Sequence, residues 1–337
     1  MNYQQMDLTK KVCIGIFLPL VLFALVWYLG RGENGHSPQP NEPQTEPTIP
    51  QDDLQDGCYL SLLLNEEKVT VELENYLLGV VLAEMPASFE MEAIKAQAVA
   101  ARTYTLKHCS ADSRHGKNTI CAQASCCQAY IDPETYIVGG GSLSSVERAR
   151  YAVDNTAGQV LTYEDALIFS TYFSCSGGMT ESAVEVWGQD IPYLQSVQSP
   201  GEDAASFFAD SKVFSAEQFQ SALGIRLKGA PDTWFTEVSY TDGGGVETMT
   251  IGGVAYRGTT LRTLLGLRST AFYVKVEDES ITFHTKGYGH RVGMSQYGAN
   301  AMAKQGYDYQ QILSHYYVGA EIVQYFEENN KTKMKFG

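Results

Sequence analysis

The spacing of hydrophobic and polar positions changes several times along this chain of 337 residues, and each change marks a different part. Val12 to Leu29 (VCIGIFLPLVLFALVWYL) is a run of 18 residues without a charge. At roughly 1.5 Å per residue such a run just crosses about 30 Å of hydrocarbon. Lys10 and Lys11 precede it and Arg31 follows. That flanking pattern predicts a cytoplasmic N-terminus over 1–11, a transmembrane signal anchor over 12–29 and a body on the outer face of the cell membrane. A cleaved signal peptide is the rival reading, opposed by the length of the run and the lack of a small-x-small site after it. Pro19 is compatible with a membrane helix.

Residues 30–56 hold five prolines and almost no large apolar groups. They cannot bury a core and predict a semi-extended linker. From residue 57 to about 325 the pattern is globular, and 326–337 reads as a solvated tail. Val69–Tyr76 (VTVELENY) alternates apolar and polar residues, a strand running into the start of a helix. Leu77–Ala83 predicts a short apolar helix that Pro86 ends. Ser88 is the expected N-cap of a second helix reaching about Lys107, with Glu90 and Glu92 in its first turn. Residues 108–145 read as loop, with four Cys and two His. Residues 158–174 predict two strands about a turn, and 236–283 further strands. Gln296–Gln305 and Tyr309–Tyr317 predict two closing helices. The fold class is α+β, with no internal repeat and no βαβ alternation.

Composition narrows the function. Hydrophobic residues make up 44% of the chain, enough for a packed core. A net charge of −15 argues against nucleic acid as the partner, because phosphate binding needs clustered Lys and Arg. A sugar polymer is not excluded, and 21 Tyr offer ring faces for one, though most such rings serve the core. Seven cysteines, with Cys13 inside the apolar run, do not force a disulfide framework.

Four groups of residues carry candidate chemistry. Glu84 ends an apolar helix. A carboxyl held there against apolar neighbours tends to stay protonated and can act as a general acid; the plain alternative is a solvated helix-end Glu. Lys95 and Arg102 lie seven apart, on one helical face, where they could steady Glu84 or hold an anionic ligand, or form a solvated charged face. His115, Cys121 and Cys127 are spaced H-x5-C-x5-C, a donor set suited to zinc, with a disulfide as the alternative. Cys126 beside Cys127 leaves that register open. In GYGHRVGMSQYGA the glycines at 287, 289 and 293 bracket His290, which reads as a base, a ligand orienter or a buried structural His. Gln296 follows at a helix start.

Three stretches together resemble one family. AEMPASFEMEAIKAQAVAARTY, the SGGMTES…VWG stretch at 176–188 and GYGHRVGMSQYGA are similar, in this order, to the motifs of stage II sporulation protein D. The anchor and linker match that family's architecture. One departure is Arg291, where the family's motif has Gly after the His.

The resemblance implies a peptidoglycan lytic transglycosylase acting in forespore engulfment on glycan strands stripped of stem peptides. It implies an amidase (stage II sporulation protein P) and a membrane protein (stage II sporulation protein M) as partners. Glu84 falls on the family's catalytic Glu, and Lys95 and Arg102 on its helix cations. Some clostridial members carry the same His and two Cys and bind zinc, which makes zinc the expected cofactor at His115, Cys121 and Cys127. Ser176, His290 and Gln296 are the further candidates for sugar binding. The expected form is one external body, with two lobes around a glycan-binding cleft open to it. Relatives of the family include amidase enhancers, so a non-enzymatic wall-binding module is the alternative. Ordinary hydrolysis to reducing ends is another, and a zinc hydrolase is opposed by the lack of an H-E-x-x-H helix.

Overall fold

A hairpin comes first among the described residues. The structure, a computed structural model, describes residues 58–65, 67–109, 114–277 and 280–325. The expected anchor, linker and tail lie outside the described residues. No helix among the described residues is long and apolar enough to cross a membrane. In the hairpin, β1 (Tyr59–Leu64) and β2 (Glu67–Glu72) pair antiparallel, and Leu60 and Leu62, two apart, point to the core face. β3 (Thr119–Cys121) joins parallel to β1, with Ile120 opposite Leu62.

Between β2 and β3 run two helices. α1 (Leu73–Glu84) begins four residues before the expected Leu77, because the Glu72 carboxylate accepts the Asn75 N–H at 2.8 Å and caps it there. Leu73 and every residue from Tyr76 to Leu82 are buried, so the helix is enclosed on all sides and shows no amphipathic stripe. It ends as expected. Met85, before Pro86, is extended (φ −117°, ψ 130°), the conformation proline imposes on its neighbour. α2 (Met91–His108) is capped at Glu90, not Ser88, which lies in the preceding turn. Its alanines let α1 and three later helices pack close to it.

The stretch expected to be loop is partly helical. α3 (Pro133–Val138) and α4 (Leu143–Asp154) start at Asp132 and Ser142, whose side chains accept the first free N–H groups. β4 (Gln159–Tyr163) and β5 (Ala166–Leu167) form the expected hairpin, with Glu164 and Asp165 both at positive φ, as a tight two-residue turn requires. β6 (Tyr172–Phe173) and a helical turn, α5 (Ala183–Trp187), follow.

Residues 209–286 form an inserted part with its own core. β7 (Ala209–Ser215), α6 (Ala216–Leu223) and a 3-10 turn at Pro231–Thr233 come first. β8 (Phe235–Tyr240), β9 (Val246–Ile251) and β10 (Val254–Arg257) make one antiparallel sheet. After α7 (Gly258–Leu265), β11 (Ala271–Glu277) and β12 (Ser280–Lys286) make another, with β7 on the far side of β12. Phe219 and Phe283 are fully buried at its centre, beside Trp234. The two ends of the insertion meet where the Gly287 N–H donates to the Phe208 carbonyl at 2.8 Å.

The chain then returns to the first part. β13 (Met294–Ser295) pairs parallel with β6, α8 (Gln296–Lys304) and α9 (Tyr309–Tyr316) pack on α2, and β14 (Glu321–Gln324) pairs with β4. The result is α+β, one compact unit built on two hydrophobic cores. Arg291 joins the two parts. It takes the left-handed conformation (φ 68°) that glycine adopts most easily, and its side chain reaches inward. Its guanidinium pairs with Glu181 at 3.0 Å and donates to the carbonyls of Ser176, Met179 and Gly243, the last from the insertion. The departure at 291 is thus a buried ionic tie between motifs.

Candidate active site

Glu84 is the last residue of α1, and the loop after it is held from two sides. Arg148 of α4 donates to the carbonyls of Ala87 (2.9 Å) and Phe89 (2.8 Å), and the Asn300 amide oxygen of α8 accepts the Glu90 N–H at 2.8 Å. The carboxyl is half-buried and has one protein donor on each oxygen. The Ala129 N–H donates to Oε1 at 2.8 Å and the Gln296 amide to Oε2 at 3.4 Å. A carboxylate can accept about four hydrogen bonds, so both oxygens keep capacity for a ligand. Burial pushes the Glu84 carboxyl above its ordinary range, and the bonds from Ala129 and Gln296 pull less strongly the other way. Neither a cation nor a second carboxylate contributes to that shift.

The Ala129 donor is positioned by its neighbours in sequence. Gln128 is buried, giving its amide to Tyr76 (3.2 Å) and Thr105 (2.9 Å) and accepting from the Tyr172 hydroxyl (2.8 Å). The next residues lie against α1 at Gly79, where a Cβ would come within 2.3 Å of the Tyr130 ring. Glycine inside a helix costs stability, and here it lets residues 130–131 approach the helix backbone, with the Ile131 N–H on the Gly79 carbonyl.

Just before this segment the side chains of His115, Cys121, Cys126 and Cys127 converge, their ligand atoms all within 4.8 Å of one another. Tetrahedral zinc with bonds of about 2.3 Å to sulfur needs ligand atoms roughly 3.8 Å apart, so four such donors fit one ion. The expectation of His115, Cys121 and Cys127 is therefore incomplete: Cys126 joins the set, and both adjacent cysteines face the same point. All the described cysteines are free thiols.

The helix cations do not reach Glu84. Arg102 is fully buried and forks onto Glu74, at 2.9 and 2.6 Å, while donating to the carbonyls of Val153 and Gln159. Glu74 and Glu84 lie at opposite ends of α1, about 15 Å apart for ten residues of helix. Arg102 is thus a structural ion pair enclosed by protein, which corrects its assignment to substrate. Lys95 pairs with Glu92 at 2.7 Å, beside the rings of Tyr151 and Tyr309, and does not join the Glu84 group.

Ser176 is corrected too. It is fully buried, and both its N–H and hydroxyl donate to Glu202 at 2.8 Å. Glu202 is a residue that sequence reasoning missed. It is 2% exposed and receives six donors, among them Gly177 N–H, Cys175 Sγ and the hydroxyls of Ser199 and Ser295. Ser295 is the N-cap of α8, so Glu202 fixes the start of the helix that carries Gln296. Nothing around Glu202 in sequence resembles a motif; a polar Ser-Pro-Gly-Glu turn was the only signal. His290 is half-buried between Phe173 and Trp187, and its Nδ1 accepts the Val292 N–H at 3.2 Å. Burial first, and Arg262 second, push it down to about 4, so near neutral pH it is an uncharged ring.

Comparison with known proteins gives the family. A family model described as stage II sporulation protein matches residues 65–163, which contain Glu84 and the His/Cys cluster. Stage II sporulation protein D of Bacillus amyloliquefaciens is 36% identical over 327 residues, covering 94% of each chain. The protein of the same name from Bacillus subtilis (strain 168) is 37% identical over 262 residues, 77% of this chain and 76% of the relative. The chain belongs to the stage II sporulation protein D family, whose name places it in sporulation. It is also 31% identical over 304 residues to a protein named amidase enhancer from Bacillus subtilis (strain 168), covering 73% of this chain and 40% of that relative.

Proposed function

We propose that this protein is a lytic transglycosylase that cuts MurNAc–GlcNAc bonds in stripped peptidoglycan strands during engulfment. The observation that carries the reading is Glu84, a carboxyl whose hold on its proton is raised by burial, with one donor on each oxygen. Most glycosidases flank the bond with two carboxylates. A single carboxyl suffices when the nucleophile belongs to the substrate. Protonated Glu84 gives its proton to the glycosidic oxygen, the C1–O bond breaks, and the GlcNAc leaves with its 4-hydroxyl. C1 gains oxocarbenium character. Glu84, now ionised, takes the proton of the MurNAc 6-hydroxyl, and O6 closes on C1 to give a 1,6-anhydro ring. No water is consumed, and orientation within one sugar replaces the second carboxylate.

Ala129 and Gln296 hold the carboxyl during both proton transfers. His290, uncharged, serves orientation rather than proton donation. Zinc suits three thiolates and an imidazole, and His115, Cys121, Cys126 and Cys127 would hold it with all four positions filled by protein. What it would supply is rigidity to the loop that ends at Ala129. The same family reading carries the location and partners we propose: an anchor at 12–29 holding the body outside the cell membrane, with the sporulation proteins P and M beside it.

Digestion of stripped glycan followed by mass spectrometry tests the activity. Anhydro-ended fragments are expected from the wild type, and Glu84→Gln should release them about 10²–10⁴ times more slowly. Equal release by the variant, or uptake of ¹⁸O from labelled water, sinks the reading. The relative named amidase enhancer favours one second reading, a non-enzymatic wall-binding module. It predicts glycan binding and no anhydro ends.

A further inference from the structure

Beyond the bonds to Glu84, a row of rings leads from α8 toward the inserted part. Tyr297 follows Gln296 and lies edge-on to Phe89 (4.9 Å) and to Phe207 (6.2 Å between ring centres). Phe207 lies 5.6 Å from Tyr288. The Arg268 guanidinium stands 5.6 Å from the Phe207 ring centre and 5.7 Å from that of Tyr288. Phe207 and Tyr288 belong to neither hydrophobic core, yet they lie side by side. Tyr288 keeps 44% of its surface in solvent. The Arg268 side chain is 35% exposed and meets Asp210 through Nε at 3.1 Å. Its carbonyl accepts N–H groups from Gly289 and Arg262, so it is fixed to the loop that carries His290.

Paired rings outside a core, capped by a guanidinium, have a clear ligand chemistry. The C–H face of a hexose stacks on an aromatic ring, and a guanidinium takes a carboxylate through two parallel N–H bonds. Among the described residues no other side chain or carbonyl takes an N–H of the Arg268 guanidinium. In a chain of net charge −15 a cation kept among aromatic rings points to an anionic ligand. MurNAc carries its anion as a lactyl carboxylate, and Arg102, buried on Glu74, cannot bind it.

We propose that Tyr288, Phe207 and Arg268 form a saccharide subsite continuing from the Glu84–Gln296 pair, in which a hexose lies on Tyr288 and Arg268 binds the MurNAc lactyl carboxylate. This rests on the glycan reading of the site.

The test uses the full chain carrying Glu84→Gln, so that binding is read without cleavage. The probes are stripped GlcNAc–MurNAc oligomers and chitin oligomers of equal length, which lack the carboxylate. Tyr288→Ala should weaken both by about tenfold. Arg268→Gln should weaken only the MurNAc oligomer, also by about tenfold. Should Tyr288→Ala melt early, Tyr288→Leu keeps the apolar volume without the ring and should show the same loss. Unchanged binding in these variants overturns the subsite, and so does an equal loss of both probes in Arg268→Gln. The two ideas fail separately. Anhydro ends made with unchanged KM in Tyr288→Ala sink the subsite alone. The binding pattern without any anhydro ends in the wild type sinks the transglycosylase alone.

Discussion

Glu84 and Glu202 are acids placed in two opposite ways. Glu202 is enclosed, with six donors converging on its two oxygens from the Ser176-Gly177 turn, Cys175, Ser199 and Ser295. Glu84 is half-buried and has two donors, one of them long. A buried carboxylate saturated with donors has nothing left to offer a ligand and serves to hold elements together. A carboxyl deprived of water but short of donors holds its proton more tightly than in water and keeps lone pairs free for a ligand. The two are linked, since Glu202 fixes the N-cap of the helix that brings Gln296 to Glu84.

Exchanging each acid separates the roles. Glu202→Ala should give the largest effect, a loss of about 3–5 kcal/mol seen in denaturant unfolding, because several buried donors are left unpaired at about 1–3 kcal/mol each. Glu84→Gln should cost no stability. Burial raises the Glu84 carboxyl in the folded state, so ionising it opposes folding. That stability is present below the ordinary carboxylate range and lost as pH rises through the raised folded value. The amide has no such loss and should melt at or above the wild type at neutral pH. A Glu84→Gln protein that melts well below wild type there would put Glu84 in the same class as Glu202.

The His/Cys cluster lies just before Ala129, the donor on the other side of Glu84. On the proposed zinc reading, a chelator should lower the melting temperature, by an amount set by metal occupancy. The stability lost with the metal is about 2.7 kcal/mol for metal at 100 times its Kd. Cys126→Ser should bind metal more weakly than wild type in a competition titration, because the structure makes Cys126 a fourth donor. Equal affinity would return the site to the three residues of the x5 spacing.

The same contrast explains what was legible from sequence. The break at Pro86 follows from local sterics, and Glu84 at the helix end follows with it. Partners of a side chain are another matter. Helical spacing put Lys95 and Arg102 on one face correctly, but spacing does not say which end of the neighbouring helix they meet. Arg102 met Glu74, where α1 begins. Glu202 was illegible because its donors come from five separate positions between 175 and 295 that only the tertiary fold assembles. The H-x5-C-x5-C spacing pointed to three of the four residues of the His/Cys cluster and missed Cys126, since adjacent side chains in a turn can converge where those in a strand would diverge. Arg291 stood out against the family motif, and its purpose required the carbonyl of Gly243, more than forty residues away and in the insertion.

The smallest effect is the most diagnostic. Gln296 donates to Glu84 at 3.4 Å, a weak bond that favours the ionised carboxyl. Removing it in Gln296→Ala should therefore raise the Glu84 carboxyl further. The proposed reaction begins with protonated Glu84, so the rate falls as pH rises through its folded value, and Glu84 sets the alkaline limb of the kcat/KM profile. That limb should move to higher pH in Gln296→Ala, while the plateau falls only about threefold, in keeping with one weak hydrogen bond. A limb that stays in place would mean that another group titrates there or that Gln296 does not bond Glu84 in solution. A limb that moves to lower pH would reverse the sign of the interaction and remove Gln296 from the proton-transfer site.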